Sequence, residues 1–214
     1  MSVVSVPPPP SPFPSINTQT VAKGTILHRT HGSSFRPAQF NPCVGQPTRF
    51  APFTDAAGAC VPTLYAATSR EAAAFESIFH DIEPTARFKT IRLDVVELRS
   101  VSRISLNRDL LVARLFAPDL KAWGLSRGEL IETPKSTYDR TVLWGQAIHH
   151  ARPDIDGLIW TSRQCDPDRC MILFEDRVGE ADFEVLDSVE VGADAGLLLE
   201  LRGFGQRAGI TIIS

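Results

Sequence analysis

The sequence predicts an α+β fold in a single domain. Three observations carry that prediction. Short apolar runs of strand type outnumber helical segments. The helices are inserted among them without regular strand–helix alternation. The 214 residues, 43% hydrophobic and 22% charged, suffice for one sizeable core or at most two small ones. This composition excludes a disordered or fibrous chain. No apolar run approaches the ~20 residues that span a bilayer. The N-terminus does not read as a secretion signal, because no basic residue precedes Lys23 and Pro7 to Pro10 interrupt any apolar stretch. The expected compartment is the cytoplasm, without membrane association.

The first element is a tail. Six of the sixteen prolines fall in residues 7–14, which predicts a flexible, proline-rich extension over 1–19 and a folded domain over 20–214. Residues 25–30 read as a first strand. Residues 31–48, with Gly32, Pro37, Pro42, Gly45 and Pro47, read as a long loop of the kind that often carries function. A short strand at 64–67 precedes Ser69, a suitable N-cap for a helix over 70–80. Alternating apolar residues predict a long strand over 87–98, followed by mixed structure with short helices over 105–133. Residues 138–151 read as a helix that ends before Pro153, with Tyr138 and Trp144 as core residues. The apolar runs at 157–161 and 170–175 have the character of buried strands. Strands over 183–189, 196–201 and 210–213 complete the chain. Gly203-x-Gly205-x-x-Ala208 matches the dinucleotide-binding fingerprint in letters, but only six residues follow it. There is no room for the helix and acidic residue that mechanism needs, so it reads as a hairpin turn.

Charge and cysteines narrow the chemistry. The net charge of −3 does not advertise nucleic-acid binding. No Asp or Glu precedes Asp55, whereas Lys23, Arg29, Arg36 and Arg49 do. That asymmetry suits a small anionic ligand such as a phosphate group, and equally a basic but idle segment. Cys43, Cys60, Cys165 and Cys170 form no CxxC pair. Cys165 and Cys170, with His149 and His150 upstream, raise a zinc site, but without a second matching pair reduced thiols are expected and no metal is assigned. A phosphate-binding loop, an HExxH helix and a GxSxG elbow are all missing.

One residue stands out by spacing. On a helix, Glu76 has Ala72, Ala73, Phe79 and His80 as its neighbours, with no Lys or Arg among them. A carboxylate on an apolar face is costly without a distant partner or a ligand. The alternative is a glutamate that simply faces solvent at the end of a surface helix.

Several segments together resemble the RES domain family. Leu27-His28-Arg29 is similar to its opening strand, and Thr48-Arg49-Phe50-Ala51-Pro52 to its Gly-Arg-Phe/Trp-Asn-Pro segment. Leu64-Tyr65-Ala66-Ala67, followed by a helix with Phe75-Glu76-Ser77, resembles its signature glutamate region. Residues 156–163, ending in Thr161-Ser162-Arg163, resemble its Gly-hydrophobic-x-x-Ser strand, and residues 170–174 the strand after it. The similarity runs in order over 24–178. The chain departs from the pattern at His28, Thr48 and Ala51.

The resemblance implies a fold like that of the ADP-ribosyltransferase toxins and a bacterial toxin neutralised by an Xre-type helix-turn-helix antitoxin. It also implies consumption of NAD+ as a substrate rather than a cofactor, by hydrolysis or phosphorolysis. In that reading Glu76, Arg29 and Ser162 are the catalytic set. Arg29 and Arg49 hold the pyrophosphate, Tyr65 stacks on a ring of the dinucleotide and His28 contacts the adenosine ribose. The expected partners are NAD+ and the antitoxin, in a toxin–antitoxin hetero-oligomer or a homodimer, with no nucleic acid bound directly. The alternatives are ADP-ribosyl transfer to a protein, a metal-dependent nuclease toxin, and a non-catalytic module recruited through the proline-rich tail.

Overall fold

A computed structural model describes residues 5–82 and 86–214. In chain order the strands and helices are β1 (Thr18–Val21), β2 (Ile26–Gly32), β3 (Phe53–Thr54), β4 (Cys60–Val61), β5 (Thr63–Ala67), α1 (Arg70–Phe75), β6 (Thr90–Arg92), α2 (Leu93–Glu97), β7 (Arg99–Leu106) and β8 (Leu110–Arg114). They continue with α3 (Ala117–Ala122), α4 (Arg127–Leu130), α5 (Tyr138–Ala151), β9 (Gly157–Thr161), β10 (Arg169–Phe174), β11 (Phe183–Glu190), α6 (Ala195–Arg207) and β12 (Thr211–Ile213). Eight strands form one mixed sheet in the order β1-β8-β9-β10-β5-β2-β7-β11. β8 and β9 run parallel, and the sheet's other neighbours are antiparallel. The α+β expectation describes this architecture.

The central strands are apolar throughout because both sheet faces are covered. Along β10, Cys170, Ile172 and Phe174 enter one core cluster with Leu158 and Trp160. The alternating Met171 and Leu173 enter another with Leu64 and Ile159. Gly157 on β9 faces the Ile172 backbone so closely that a Cβ would not fit. β11 closes one edge of the sheet. A register shift between Val185 and Asp187, together with the charges of Glu184, Asp187 and Glu190, blunts it against pairing with another chain.

The proline-rich segment is not the flexible tail expected. Val6 and Ile16 are buried. The Trp144 indole donates to the Pro7 carbonyl at 2.8 Å, and the Trp123 indole donates to the Ser15 carbonyl at 3.1 Å. Phe13 meets the edges of both indoles, 5.2 and 5.8 Å between centroids. A proline-rich strand offers carbonyl acceptors and few N–H donors, which suits it to two indole donors from α5 and the end of α3.

Other expectations need correction. Residues 87–98 are not one strand: β6 is short, Phe88 is exposed and α2 follows, with Val96 buried. The long strand is β7, just after. Residues 196–201 are helical, and the glycine turn read at 203–208 is the last part of α6 with Ala208 as its C-cap. Asp194 caps that helix by accepting from the Leu197 N–H at 2.9 Å. Leu197, Leu201 and Gly205 recur at helical spacing on its buried face. Gly205 is needed there, since a Cβ would come within 3.1 Å of the Ile210 carbonyl and 3.4 Å of the Phe79 ring. Cys43 and Cys60, expected as reduced thiols, form a disulfide with Cα atoms 6.5 Å apart. It ties the long loop after β2 to β4.

α5 packs on that loop through Gly145, where a Cβ would stand 2.8 Å from the Phe50 carbonyl. Gly145→Ala is therefore expected to lower stability by about 1–3 kcal/mol, the usual range for overpacking, despite alanine's better helix propensity. Chemical denaturation checks the sign.

Candidate functional site

A cavity of about 310 Å³ opens between the end of α1, the start of α5, β2 and the loop carrying Arg49. Glu76 sits at its base. Ser69 caps α1 by accepting from the Ala72 N–H at 3.0 Å and donates to Asp168 Oδ2 at 2.6 Å. The helix stops after Phe75, short of the expected His80, so Glu76 is its C-cap residue. Ala72, Ala73 and Ala74 are buried, and their small size lets this end of the helix lie deep.

The Glu76 carboxylate receives three donors. Arg49 Nη1 donates to Oε2 at 3.2 Å, while Ser162 Oγ and the Arg163 N–H donate to Oε1 at 3.3 and 3.4 Å. Its side chain is 11% exposed and that of Arg49 is 1% exposed. Burial, the largest single effect, would raise the Glu76 pKa, but Arg49, His80 and the Arg163 N–H together outweigh it and hold the carboxyl below its ordinary value. Burial likewise opposes the Arg49 charge, and Glu76 restores it. The site thus presents a fixed negative charge. Arg49 Nε and Nη2 are buried and have no partner among the described residues. Buried donors left unsatisfied cost free energy that a ligand can recover.

The structure brings most of the expected residues together and separates one. Arg49, Glu76 and Ser162 are in contact across three distant segments. Arg29 lines the same cavity from β2. It is 6% exposed and its Nη1 donates to the Pro37 carbonyl at 2.7 Å. Burial pulls its pKa down to about 10, which leaves it charged at neutral pH. Among the described residues no carboxylate pairs with it. Arg49, expected beside a pyrophosphate, is instead engaged first with Glu76.

Tyr65 also lines the cavity, but its hydroxyl is committed to the loop. It accepts from the Phe50 N–H at 3.1 Å and bonds Thr48 Oγ1 at 2.9 Å, and its ring meets Trp160 edge-on. Burial pushes its pKa up to about 12. Tyr65 therefore anchors the segment that carries Arg49. His28 does not reach the cavity. It precedes Arg29 on β2 and turns to the opposite face, among Arg70, Arg103, Asp168 and Asp187. Burial, then the two arginines, lowers its pKa.

Sequence reasoning missed His31, His80, Arg99, Lys135 and the cavity role of Tyr138. Tyr138 is a buried residue of α5, as expected, yet its hydroxyl contacts His80 Nε2 at 2.6 Å. The zinc alternative finds its groups dispersed. Cys170 is buried in β10, Cys165 donates to Asp168, and His149 pairs with Asp176. Among the described residues no group of three or more His, Cys, Asp or Glu is arranged to hold a metal ion.

Comparison with known proteins adds to this geometry. The family model described as the RES domain matches residues 26–192. A chain of the crystal structure of the M. tuberculosis MbcT–MbcA toxin–antitoxin complex is similar in fold, with a TM-score of 0.58 and 17% identity. The alignment covers 86% of this chain and 92% of that one. No curated protein sequence matches this chain.

Proposed function

Because this chain belongs to the RES domain family, matched over residues 26–192, we propose that it is a toxin that cleaves the nicotinamide–ribose bond of NAD+. The observation that carries this reading is the buried, ionised Glu76. It is held by Arg49, Ser162 and the Arg163 backbone at the base of a cavity also lined by Arg29, which no carboxylate pairs with among the described residues. Nicotinamide carries a positive charge in NAD+ and leaves neutral, so its departure needs no general acid, unlike the alcohol released in glycoside hydrolysis. One carboxylate suffices. Glu76 stabilises the positive charge that develops at the ribose, and its fixed position spares reorganisation during the reaction.

Arg29 holds the pyrophosphate in this reading, with the unpartnered donors of Arg49 beside it. A guanidinium fits two phosphate oxygens at once. Ser162 positions the carboxylate. The acceptor is water or phosphate, and transfer of ADP-ribose to a protein is the alternative that shares this site. The nuclease alternative lacks a donor set among the described residues. The alternative of recruitment through the proline-rich tail is weakened because Trp123 and Trp144 already engage that segment. The toxin–antitoxin complex of similar fold and the family resemblance support an antitoxin partner of Xre type. Among the described residues no helix is long and apolar enough to cross a membrane, and this reading places the reaction in the cytoplasm.

The test is release of nicotinamide from NAD+ by the purified protein with no metal added. Release supports the reading. Absence of release, even with phosphate and cell lysate supplied as acceptors, overturns it. A mass increase on a lysate protein, in place of free ADP-ribose or its phosphate, selects transfer.

A further inference from the structure

Four side chains that the reaction above does not use form a continuous chain beside Glu76. Lys135 Nζ donates to Asp81 Oδ2 at 2.8 Å, Asp81 Oδ1 meets His80 Nδ1 at 2.9 Å, and His80 Nε2 meets the Tyr138 hydroxyl at 2.6 Å. All four line the cavity. Their directions follow from chemistry. Asp81 is held in its ionised form by Lys135 and His80 against the opposing effect of partial burial, so it only accepts. Nδ1 of His80 must then carry the proton, and Nε2 presents a lone pair. Tyr138 therefore donates to His80, and its own oxygen is left as an acceptor at the cavity wall.

Glu76 is a poor base, because three donors already stabilise its ionised form. An attacking hydroxyl must nevertheless lose a proton. We propose that Tyr138 and His80 form a proton relay that deprotonates the acceptor during cleavage, an assignment that rests on the reading of this site as an NAD+-cleaving centre. As the acceptor oxygen bonds to ribose C1′, the C1′–nitrogen bond breaks and its electron pair leaves with neutral nicotinamide. The acceptor proton passes to the Tyr138 oxygen while the Tyr138 proton passes to His80 Nε2. The resulting imidazolium faces Asp81, and after product leaves His80 releases its one extra proton to solvent, while Tyr138 keeps the proton taken from the acceptor. Tyr138 touches the reacting atoms. His80 acts through it and, with Asp81, is a positioning residue.

The groups facing His80 are Arg49, Glu76, Asp81 and Tyr138, and Lys135 reaches it through Asp81. Burial and then Arg49 lower its pKa against the raising effect of Glu76 and Asp81, which leaves the ring neutral and able to accept at pH 7. Arg163 lies near the tyrosine end.

The experiment follows nicotinamide release from NAD+ over about pH 5 to 9, bracketing the ordinary imidazole range, for wild type, Tyr138→Phe and His80→Gln. The wild-type rate is expected to fall as pH drops through the His80 pKa, below 6.5. Tyr138→Phe is expected to lose about 100-fold or more in kcat, and His80→Gln about 10- to 100-fold, with the acid limb gone from the remaining activity. A purely structural role for His80 would lower the rate without reshaping the profile. An unchanged acid limb in His80→Gln, or a Tyr138→Phe enzyme within about twofold of wild type, overturns the relay alone. Wild type that releases nicotinamide at no pH overturns the NAD+ reading, and the relay with it. Imidazole ¹⁵N spectra of the wild-type protein give a check that needs no variant. A neutral ring with its proton on Nδ1 supports the relay, and one with its proton on Nε2 overturns it.

Discussion

Glu76→Gln is expected to reduce nicotinamide release from NAD+ by about 10³-fold or more while leaving the protein folded. The magnitude follows from the environment. Removing one preorganised polar group aimed at developing charge costs about 10²–10³-fold in rate, and here the group lost is a full charge in a site screened from water. Glutamine keeps the size of the side chain and one acceptor for Arg49, so the fold should survive. The charge that meets the ribose cation is lost. Nicotinamide release and a thermal melt on the same preparation separate the two effects. A glutamine variant with near wild-type turnover would show that the carboxylate does not carry the chemistry.

The second large effect is on stability. Arg49→Met leaves Glu76 buried without its cation. Breaking a buried pair from one side typically costs about 3–5 kcal/mol, because the remaining charge is uncompensated. Glu76 should respond by titrating upward, since burial remains while the strongest of the groups that oppose it is gone. The double variant Arg49→Met/Glu76→Gln removes both charges and should recover part of the loss. The two changes will then not add, and the shortfall measures their coupling. Chemical denaturation at pH 7 of wild type, both singles and the double tests this, and additive losses would refute it. In wild type the folded-state pKa of Glu76 lies below its ordinary value of 4.5. The pair's contribution is therefore fully present above that value, and it is lost as pH falls through the lower, folded-state pKa.

Much of this arrangement is legible in the sequence because it is local. Ser69 announces its helix by capping chemistry, the apolar runs at β9 and β10 announce strands buried on both faces, and Glu76 is conspicuous for lacking any neighbouring cation. What the sequence does not disclose is long-range. Arg49 lies 27 residues from Glu76, and His80 lies 58 residues from Tyr138. No spacing rule links such pairs. α6 was misread for a different reason. Leu197, Leu198 and Leu199 form a run that suits a strand, and Gly203 and Gly205 suggest a turn. Only the recurrence of Leu197, Leu201 and Gly205 on one face marks a helix. The disulfide escaped because Cys43 and Cys60 share no motif, and the docked tail because its acceptors are carbonyls, which every sequence has.

The same distances bear on how the chain comes into being. Pro7, made early, binds Trp144, 137 residues later, and Glu76 waits for Ser162, 86 residues later. β5 can pair with β10 only once residue 174 exists. At roughly 5–20 residues per second of synthesis, about 4–27 s separate the making of those parts. Closure over such separations is also intrinsically slow, since the entropy of bringing the ends together precedes any contact that rewards it. A nascent or truncated chain ending before residue 162 consequently has Glu76 but neither of the donors that Ser162 and Arg163 bring. The carboxylate is therefore held by all three donors only once the segment that follows β9 has been made.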